Sequence, residues 1–414
     1  MTKRSSLRYT WDMDSDYVER VEERTMKVAV IGAGSMGCML GGYLQEGGAE
    51  VTLTVRRKEL MDALNEKGLT INMYEEEGSS ELRIPVKAVT DPKDAGTMDA
   101  LLIMVKGPDT RKAMEGAKVL IGDDTKVITL QNGIGNVDII KEFVPEDRIY
   151  YGCLNMSAVM DSPGVISGGL FGENNIFIGS VIREDTQREF GEEICALFRK
   201  GGITACYTDD IDREVWYKLL MNVAVNATCG LVRLRGGEAG EDQQFMLLAM
   251  DMVKEAIAVA HAMGVDLDLG HFMTEVLPTA RKSSSKHYPS MAHDMMITKA
   301  KTEIDFINGA VERLGASKDI PTPVNTTVSR LVRIIENNYD RQYFPKPKGK
   351  AASFTVTINE KFCKGCGFCI KYCPKDIIAV EDGRVAKVKD MGGCIGCLNC
   401  ATICPEAAIT ISKE

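Results

Sequence analysis

The sequence predicts three folds in succession: an α/β domain on a parallel sheet, an all-α domain, and a small α+β domain built around cysteines. Three observations carry this. From Met26 to about residue 205, short apolar β-rich runs alternate with helix-like stretches; from Ile211 to about Tyr339 only long helical patterns occur; from Phe354 to the end, two cysteine runs share one spacing. With 414 residues, 44% hydrophobic and 26% charged, the chain can bury several cores, at roughly one per 100–200 residues.

Residues 1–25 are polar and charged and form an N-terminal extension to which no role is assigned. The α/β domain, 26–205, follows. Its runs KVAVIG, EVTLTV, DALLIMVK and KVITLQN, each followed by a helical pattern, are the mark of βαβ units. Directly after KVAVI stands GAGSMG, with Gly32, Gly34 and Gly37 in G-x-G-x-x-G register and Ser35 and Met36 between them. In a strand–turn–helix context this predicts a Rossmann-type dinucleotide site: the glycines allow a tight turn and close backbone approach, and the helix N-terminus faces the pyrophosphate. Where the second strand ends, an NAD enzyme usually carries an acidic residue, and this chain has Arg56 and Arg57. Arginine there suits the 2′-phosphate of NADPH through charge-assisted hydrogen bonds, unless both side chains are merely solvated.

The all-α domain, 206–339, opens with IDREVWYKLLMNVAVNATCGLV. Its helical spacing puts Lys218, Asn222 and Asn226 on one face of an otherwise apolar helix. Taken alone, the set reads as a snorkelling lysine with two amides bonded to neighbouring backbone. A lysine desolvated there could instead donate a proton near neutral pH. Residues 340–353, with two prolines and several basic residues, read as a linker.

The final domain, 354–414, contains CKGCGFCIKYCP from Cys363 and CIGCLNCATICP from Cys394. Both are C-x2-C-x2-C-x3-C-P, the ligand run of a two-cluster bacterial ferredoxin, in which the fourth cysteine serves the other cluster. Cys363, Cys366, Cys369 and Cys404 are therefore assigned to one [4Fe–4S] cluster, and Cys394, Cys397, Cys400 and Cys373 to a second. Zinc, which also uses C-x2-C pairs, fits the doubled spacing less well. The remaining five of 13 cysteines, Cys38, Cys153, Cys195, Cys206 and Cys229, show no pairing pattern and are expected in the core.

From Met26 to about Tyr339 the chain resembles the ketopantoate reductase (2-dehydropantoate 2-reductase) family, through GAGSMG, MVKGPDT, QNGIGN, EVWYKLLMNVAVN, PSMAHD and KTEIDFINGA in that order. The resemblance implies NADPH-dependent reduction of ketopantoate, with Lys218 as general acid at the keto oxygen and Glu303 orienting lysine and substrate. It implies that Asn222 and Asn226 hold the substrate, that Ser290 binds its carboxylate, and that Lys106 and Asn132 lie where nicotinamide ribose meets substrate. Three departures touch the substrate: Pro289 precedes Ser290 where the family usually has a serine, the spacing from Ser290 to Glu303 is one residue longer than usual, and Gly236 stands where some members place a substrate-contacting Asn. Another 2-oxoacid is the alternative. The cysteine segment also resembles delta-type subunits of 2-oxoacid:ferredoxin oxidoreductases, which implies an electron-transfer component of such a complex as a further alternative.

A formal charge of −9 argues against nucleic acid or an anionic membrane as partner. No run approaches the roughly 18 uninterrupted apolar residues of a membrane span, so a cytoplasmic protein is expected. The expected partners are a small 2-oxoacid and a redox protein, with room for a homodimer. Hydride transfer moves two electrons and clusters take one at a time. Without a flavin fingerprint, the two chemistries are not expected to exchange electrons directly.

Overall fold

A computed structural model describes residues 25–75, 78–277, 288–342, 354–381 and 385–413. The N-terminal extension through residue 24 and the linker from 343 lie outside the described residues. The chain divides into two compact units, Met1–Asn337 and Asn338–Glu414.

In the first unit the strands are β1 Lys27–Ile31, β2 Glu50–Thr54, β3 Leu69–Glu75, β4 Gly78–Ile84, β5 Lys87–Val89, β6 Met98–Ile103, β7 Ile121–Thr129, β8 Ile149–Leu154, β9 Met156–Ser162, β10 Val165–Leu170, β11 Ile176–Ser180 and β12 Ala205–Tyr207. Eight of them form one sheet in the order β12-β11-β8-β7-β6-β1-β2-β5. All its neighbours run parallel except β8 and β11.

The other four strands, β4-β3-β10-β9, make a second sheet that the sequence reading did not separate out. β3 shows the reason for its placement: Leu69, Ile71 and Met73 alternate and are buried, the period-two pattern of a strand with one covered face. What covers it is α1, Ser35–Glu46, buried continuously from Gly37 to Leu44. A Cβ on Gly41 would meet Leu53, Val30 and Val51 of the large sheet, and one on Gly42 would meet Leu69, Ile71 and Ile84 of the small one. The Gly41–Gly42 pair thus lets one helix fit between two sheets.

The helical half begins with α6, Ile211–Val232, then Gly236–Glu241 and α8, Gln243–Ala262. (Between α1 and α6 lie α2 Lys58–Lys67, α3 Thr110–Ala117, α4 Asn136–Ile140 and α5 Asp185–Lys200.) By length and mean hydropathy α6 could cross a membrane, but 67% of its apolar window is buried inside the protein. An all-round apolar helix is what the centre of a helical domain requires. The stretch from His271 to Leu331, expected as continuous helical pattern, is broken instead. Leu269–His271 and Ser290–His293 each run into a π turn, Phe272–Val276 and Asp294–Thr298, before regular helix resumes at Asn308–Ser317 and Pro323–Glu336. Lys299 in left-handed conformation (φ 48°) ends the second π turn.

The second unit is an internal repeat displaced by 31 residues, strand–cysteine loop–short helix–strand in each half. Phe354–Ile358 pairs antiparallel with Ile409–Lys413, and Ile378–Glu381 with Val385–Val388, so each half lends a strand to the other. Backbone angles repeat as well: Gly365 and Gly396 have φ 66° and 65°, and Asp376 and Ala407 have φ 50° and 46°.

Candidate functional site

The turn between β1 and α1 is built by its glycines. Gly32 has φ 91°, and a Cβ on it would lie 2.5 Å from Val105 Cγ1 and 2.8 Å from Val105 N; a Cβ on Gly37 would lie 2.6 Å from the Gly32 carbonyl oxygen. Both positions are closed to any side chain. Gly34 differs: it caps α1, is exposed, and a Cβ there would meet nothing within 4 Å. Its bareness leaves the helix N-terminus, with Ser35 and Met36 in the first turn, open to a ligand. Just past β2, the Arg56 side chain is 93% exposed and lies 3.6 Å from Asp109, while Arg57 is also exposed. Asp109 is a neighbour the sequence reading did not supply, and a phosphate at Arg56 would share the guanidinium with it.

On α6, Lys218, Asn222 and Asn226 fall on one side, as their spacing predicts. Asn222 Nδ2 donates to Asn132 Oδ1 at 3.4 Å, Asn132 Nδ2 donates to Glu303 Oε2 at 3.3 Å, and the Gly107 amide donates to Glu303 Oε1 at 3.2 Å. One chain of hydrogen bonds therefore joins α6, the QNGIGN loop, the MVKG loop and Glu303. Next to Gly107, the Lys106 ammonium pairs with the well-shielded Asp294 carboxylate at 2.5 Å. Asp294 lies inside the PSMAHD motif but was assigned no role from sequence. Ser290, four residues before it, is exposed at the start of its short helix. Asn226 is 5% exposed and makes no hydrogen bond among the described residues. Lys218 likewise has no ion pair or hydrogen bond among them.

The electrostatics follow from burial. Although part of the Lys218 surface stays accessible, protein packs around the ammonium and desolvation lowers its pKa from the ordinary value. The titratable group that acts on it, Cys153, is no counter-charge: burial pushes its thiol up to about 12. Glu303 moves the other way. Burial raises its carboxyl, against the pull of the Gly107 N–H, the Asn132 amide and the Lys106 charge, and Asp294 adds to the rise. An ammonium held low and a carboxyl held high are groups brought toward neutral-range proton exchange.

Phe306, three residues after Glu303, is the hidden keystone. Ile134 N donates to its carbonyl at 2.8 Å. Gly133, at φ 84°, approaches so closely that a Cβ would sit 2.1 Å from the Phe306 oxygen, and a Cβ on Gly107 would meet the Phe306 ring at 2.6 Å. The NG pair is more than a turn: it brings Asn132 against Glu303. Gly133→Ala is expected to cost about 2 kcal/mol or more from left-handed strain and the clash. Thermal unfolding should show a clear drop in Tm, and an unchanged Tm would refute this reading of the loop.

In the second unit Cys369 is buried and its thiol is pushed up to about 11 by that burial, with Cys366, Cys363 and Cys404 adding to the rise. Cys400 is raised by burial too, and its thiol neighbours are Cys397, Cys373 and Cys394. These are two quartets, each containing the fourth cysteine of the other run. The Ala386 amide donates to Cys363 Sγ at 3.2 Å and the Ala408 amide to Cys404 Sγ at 3.3 Å, as backbone donors do toward sulfurs that carry cluster charge. Among the described residues no three His, Cys, Asp or Glu side chains converge tightly enough to grip a single ion. Four thiols that sense one another in each quartet, with backbone amides donating to Cys363 and Cys404, are a donor set that fits an iron–sulfur cluster. Of the other five thiols, Cys38, Cys153, Cys195 and Cys229 are buried; Cys206 is only partly so, because β12 is the edge of its sheet.

Comparison with known proteins finds relatives for both units of the chain. The family model "Ketopantoate reductase PanE/ApbA" matches residues 28–181, "Ketopantoate reductase PanE/ApbA C terminal" matches 210–336, and "4Fe-4S dicluster domain" matches 355–405. A 2-dehydropantoate 2-reductase of Pyrococcus horikoshii is 31% identical over 312 residues, 75% of this chain and 98% of that one. Its counterpart in Lactococcus lactis is 30% identical over 308 residues, 74% and 97% of the two chains. Among solved structures, D-mandelate dehydrogenase with NADH and anilino(oxo)acetate is similar with TM-score 0.69 and 27% identity, covering 76% of this chain and all of that one. The 2-dehydropantoate 2-reductase of Geobacter metallireducens GS-15 gives TM-score 0.68 at 27% identity, covering 75% and 99%. Matches that span both halves of the first unit, and nearly the full length of these relatives, make this chain a member of the ketopantoate reductase family, an oxidoreductase followed by a 4Fe-4S dicluster domain.

Proposed function

We propose that the chain reduces 2-dehydropantoate to pantoate with NADPH. The observation that carries this is the hydrogen-bond chain Asn222–Asn132–Glu303–Gly107, which fixes a polar wall beside Lys218. NADPH, held at the Gly32–Gly37 turn, supplies the hydride that reaches the keto carbon. Lys218 donates its proton to the keto oxygen; the lowered pKa makes that donation easier near neutral pH. Asn222 and Asn226 hydrogen-bond the substrate's oxygens, the unpartnered Asn226 amide being free to do so, and Ser290 takes the carboxylate. Glu303, held by Asn132 and the Gly107 amide, orients this wall, and positioning with fixed dipoles supplies the rate. Lys106, steadied by Asp294, sits where cofactor and substrate meet. The two quartets of cysteines hold two [4Fe–4S] clusters serving a separate one-electron path.

The test is anaerobic NADPH oxidation by the reconstituted protein with ketopantoate, against NADH. NADPH should be strongly preferred, and Arg56→Ala should raise KM for NADPH by about tenfold while leaving NADH unchanged, as loss of a charge-assisted contact at an exposed site implies. Preference for NADH would overturn the cofactor assignment.

One observation favours a second reading. A cavity of about 30 Å³ beside α6 is lined by Met221, Val225, Gly236, Phe245, Met250 and Phe272 among others. With Gly236 on its wall, where some family members carry an Asn, this apolar lining favours a 2-oxoacid with a hydrocarbon side chain; the related D-mandelate dehydrogenase structure holds an aromatic 2-oxoacid derivative, anilino(oxo)acetate. Higher kcat/KM with 2-oxoisocaproate or phenylglyoxylate than with ketopantoate would select it.

A further inference from the structure

The second unit contains its own control, because each half of the repeat shows what the other has changed. Around the first cysteine run stand Lys361, Lys364, Lys371 and Lys375, all exposed. Their counterparts 31 residues on are Gly392, Ile395, Thr402 and Glu406, so all four positive charges are missing from the second run. None of the four lysines joins an ion pair among the described residues, whereas nearby Lys389 pairs with Asp376 at 2.7 Å. Lys371 lies only over the Tyr372 ring, 5.9 Å from its centroid. The second run instead exposes Ile395 (39%) and Leu398 (52%), and Leu398 adopts φ 61° where the first half has Gly367 at φ 78°.

Both faces bring a ligand-type sulfur to the surface, Cys366 in one and Cys397 in the other. Only the first run is flanked in sequence by exposed lysines that join no ion pair among the described residues. Residues 354–414 hold eight Lys and Arg against seven Asp and Glu, a net +1 within a chain of net −9, so the positive charge is concentrated at the first run rather than spread over the domain. Unpaired like charges held together on a small fold repel one another and cost stability, so a partner that neutralises them would be favoured.

We propose that the exposed, lysine-bearing surface of the first cysteine run is the docking surface for a small acidic one-electron carrier protein. The proposal rests on the reading that the second unit holds clusters, and it adds which face is used and what charge the partner bears. With a cluster held by Cys363, Cys366, Cys369 and Cys404, the step served would be the passage of one electron between it and the carrier, with no bond made or broken. Opposite charge steers the encounter and fixes the orientation, and such attraction weakens as salt shortens its range.

The test uses the full chain, reconstituted anaerobically, with iron content measured for every variant so that cluster loss is distinguished from lost docking. Titration calorimetry with an acidic two-cluster bacterial ferredoxin as probe should show binding at low ionic strength that weakens about tenfold or more by 0.3 M salt. Lys364→Glu with Lys371→Glu should weaken binding at least about tenfold at unchanged iron content. Lys361→Glu with Lys375→Glu should act the same way if the first pair disturbs the clusters. Lys387→Glu with Lys413→Glu, exposed charges outside the first cysteine run, should leave affinity unchanged. No binding, binding indifferent to salt or to both first-run variants, or equal binding of a basic cytochrome c or of phosphatidylserine vesicles, would overturn the proposal.

Discussion

Lys218→Met is expected to lose about a thousandfold in kcat/KM, the middle of the range for removing a general acid, while raising the stability of the folded protein. The two effects have one cause. The ammonium has no ion pair among the described residues, the titratable group that acts on it is a neutral thiol, and burial depresses its pKa. A charge held without a partner costs free energy, and an unbranched thioether of similar length would fill the space without that cost. A gain of about 1 kcal/mol is expected, the size typical where function holds an unfavourable group in place. The sign of its pH dependence is fixed. At pH values below the depressed folded pKa, both folded and unfolded chains carry the proton and the cost is fully present. As pH rises from there to the ordinary 10.5, the folded state sheds its proton first and the cost disappears. The Tm advantage of Lys218→Met should therefore be largest near neutral or acid pH and shrink toward pH 10.5. Wild-type reduction should fail on the same alkaline limb, because an unprotonated lysine cannot donate. A variant that is inactive but less stable would mean Lys218 is a structural lysine.

The residues that were legible from sequence are those whose reason for being there is local. Three glycines at fixed spacing after a strand define a turn with its neighbours, and α6 spans Ile211–Val232 because no proline breaks it and its buried polar residues recur at helical spacing. The cysteine runs are legible for the same reason. What stayed hidden depends on partners far away in sequence. Glu303 meets Gly107 across 196 residues and Asn132 across 171, so nothing near any of the three announces the contact. Phe306 looks like an ordinary core aromatic until two glycines from different loops are found pressed against it. Asp294 sits in a π turn that helical periodicity does not reveal, and its ion pair with Lys106 bridges the α/β and helical halves of the unit. The second sheet was missed because β3 pairs with β10, with four strands of the large sheet lying between them in sequence, and only α1, with a glycine toward each sheet, explains how both are covered.

Counting iron in paired cysteine variants should separate the crossed arrangement of quartets from a local one. Cys404→Ser alone is expected to leave about half the iron under either arrangement, so the single variant decides little. Combined with Cys369→Ser it should still leave half, because both residues belong to one quartet. Combined with Cys400→Ser it should leave almost none, because Cys400 keeps company with Cys373, Cys394 and Cys397. If each run held its own cluster, the two double variants would exchange results. The second combination should also unfold the unit, since its core comprises few residues and several of them are the cysteines themselves. A domain this small rarely holds together on apolar burial alone, and metal ligation then supplies much of its folding energy. Circular dichroism of the isolated signal is unnecessary for that point: faster proteolysis of residues 354–414 in the Cys400→Ser, Cys404→Ser chain than in the Cys369→Ser, Cys404→Ser chain would show it. The strand exchange between the halves gives the physical reason for crossing. Each fourth cysteine precedes a strand, Ile378–Glu381 or Ile409–Lys413, that pairs with a strand of the opposite half, so the chain that leaves one loop is carried toward the other's cluster.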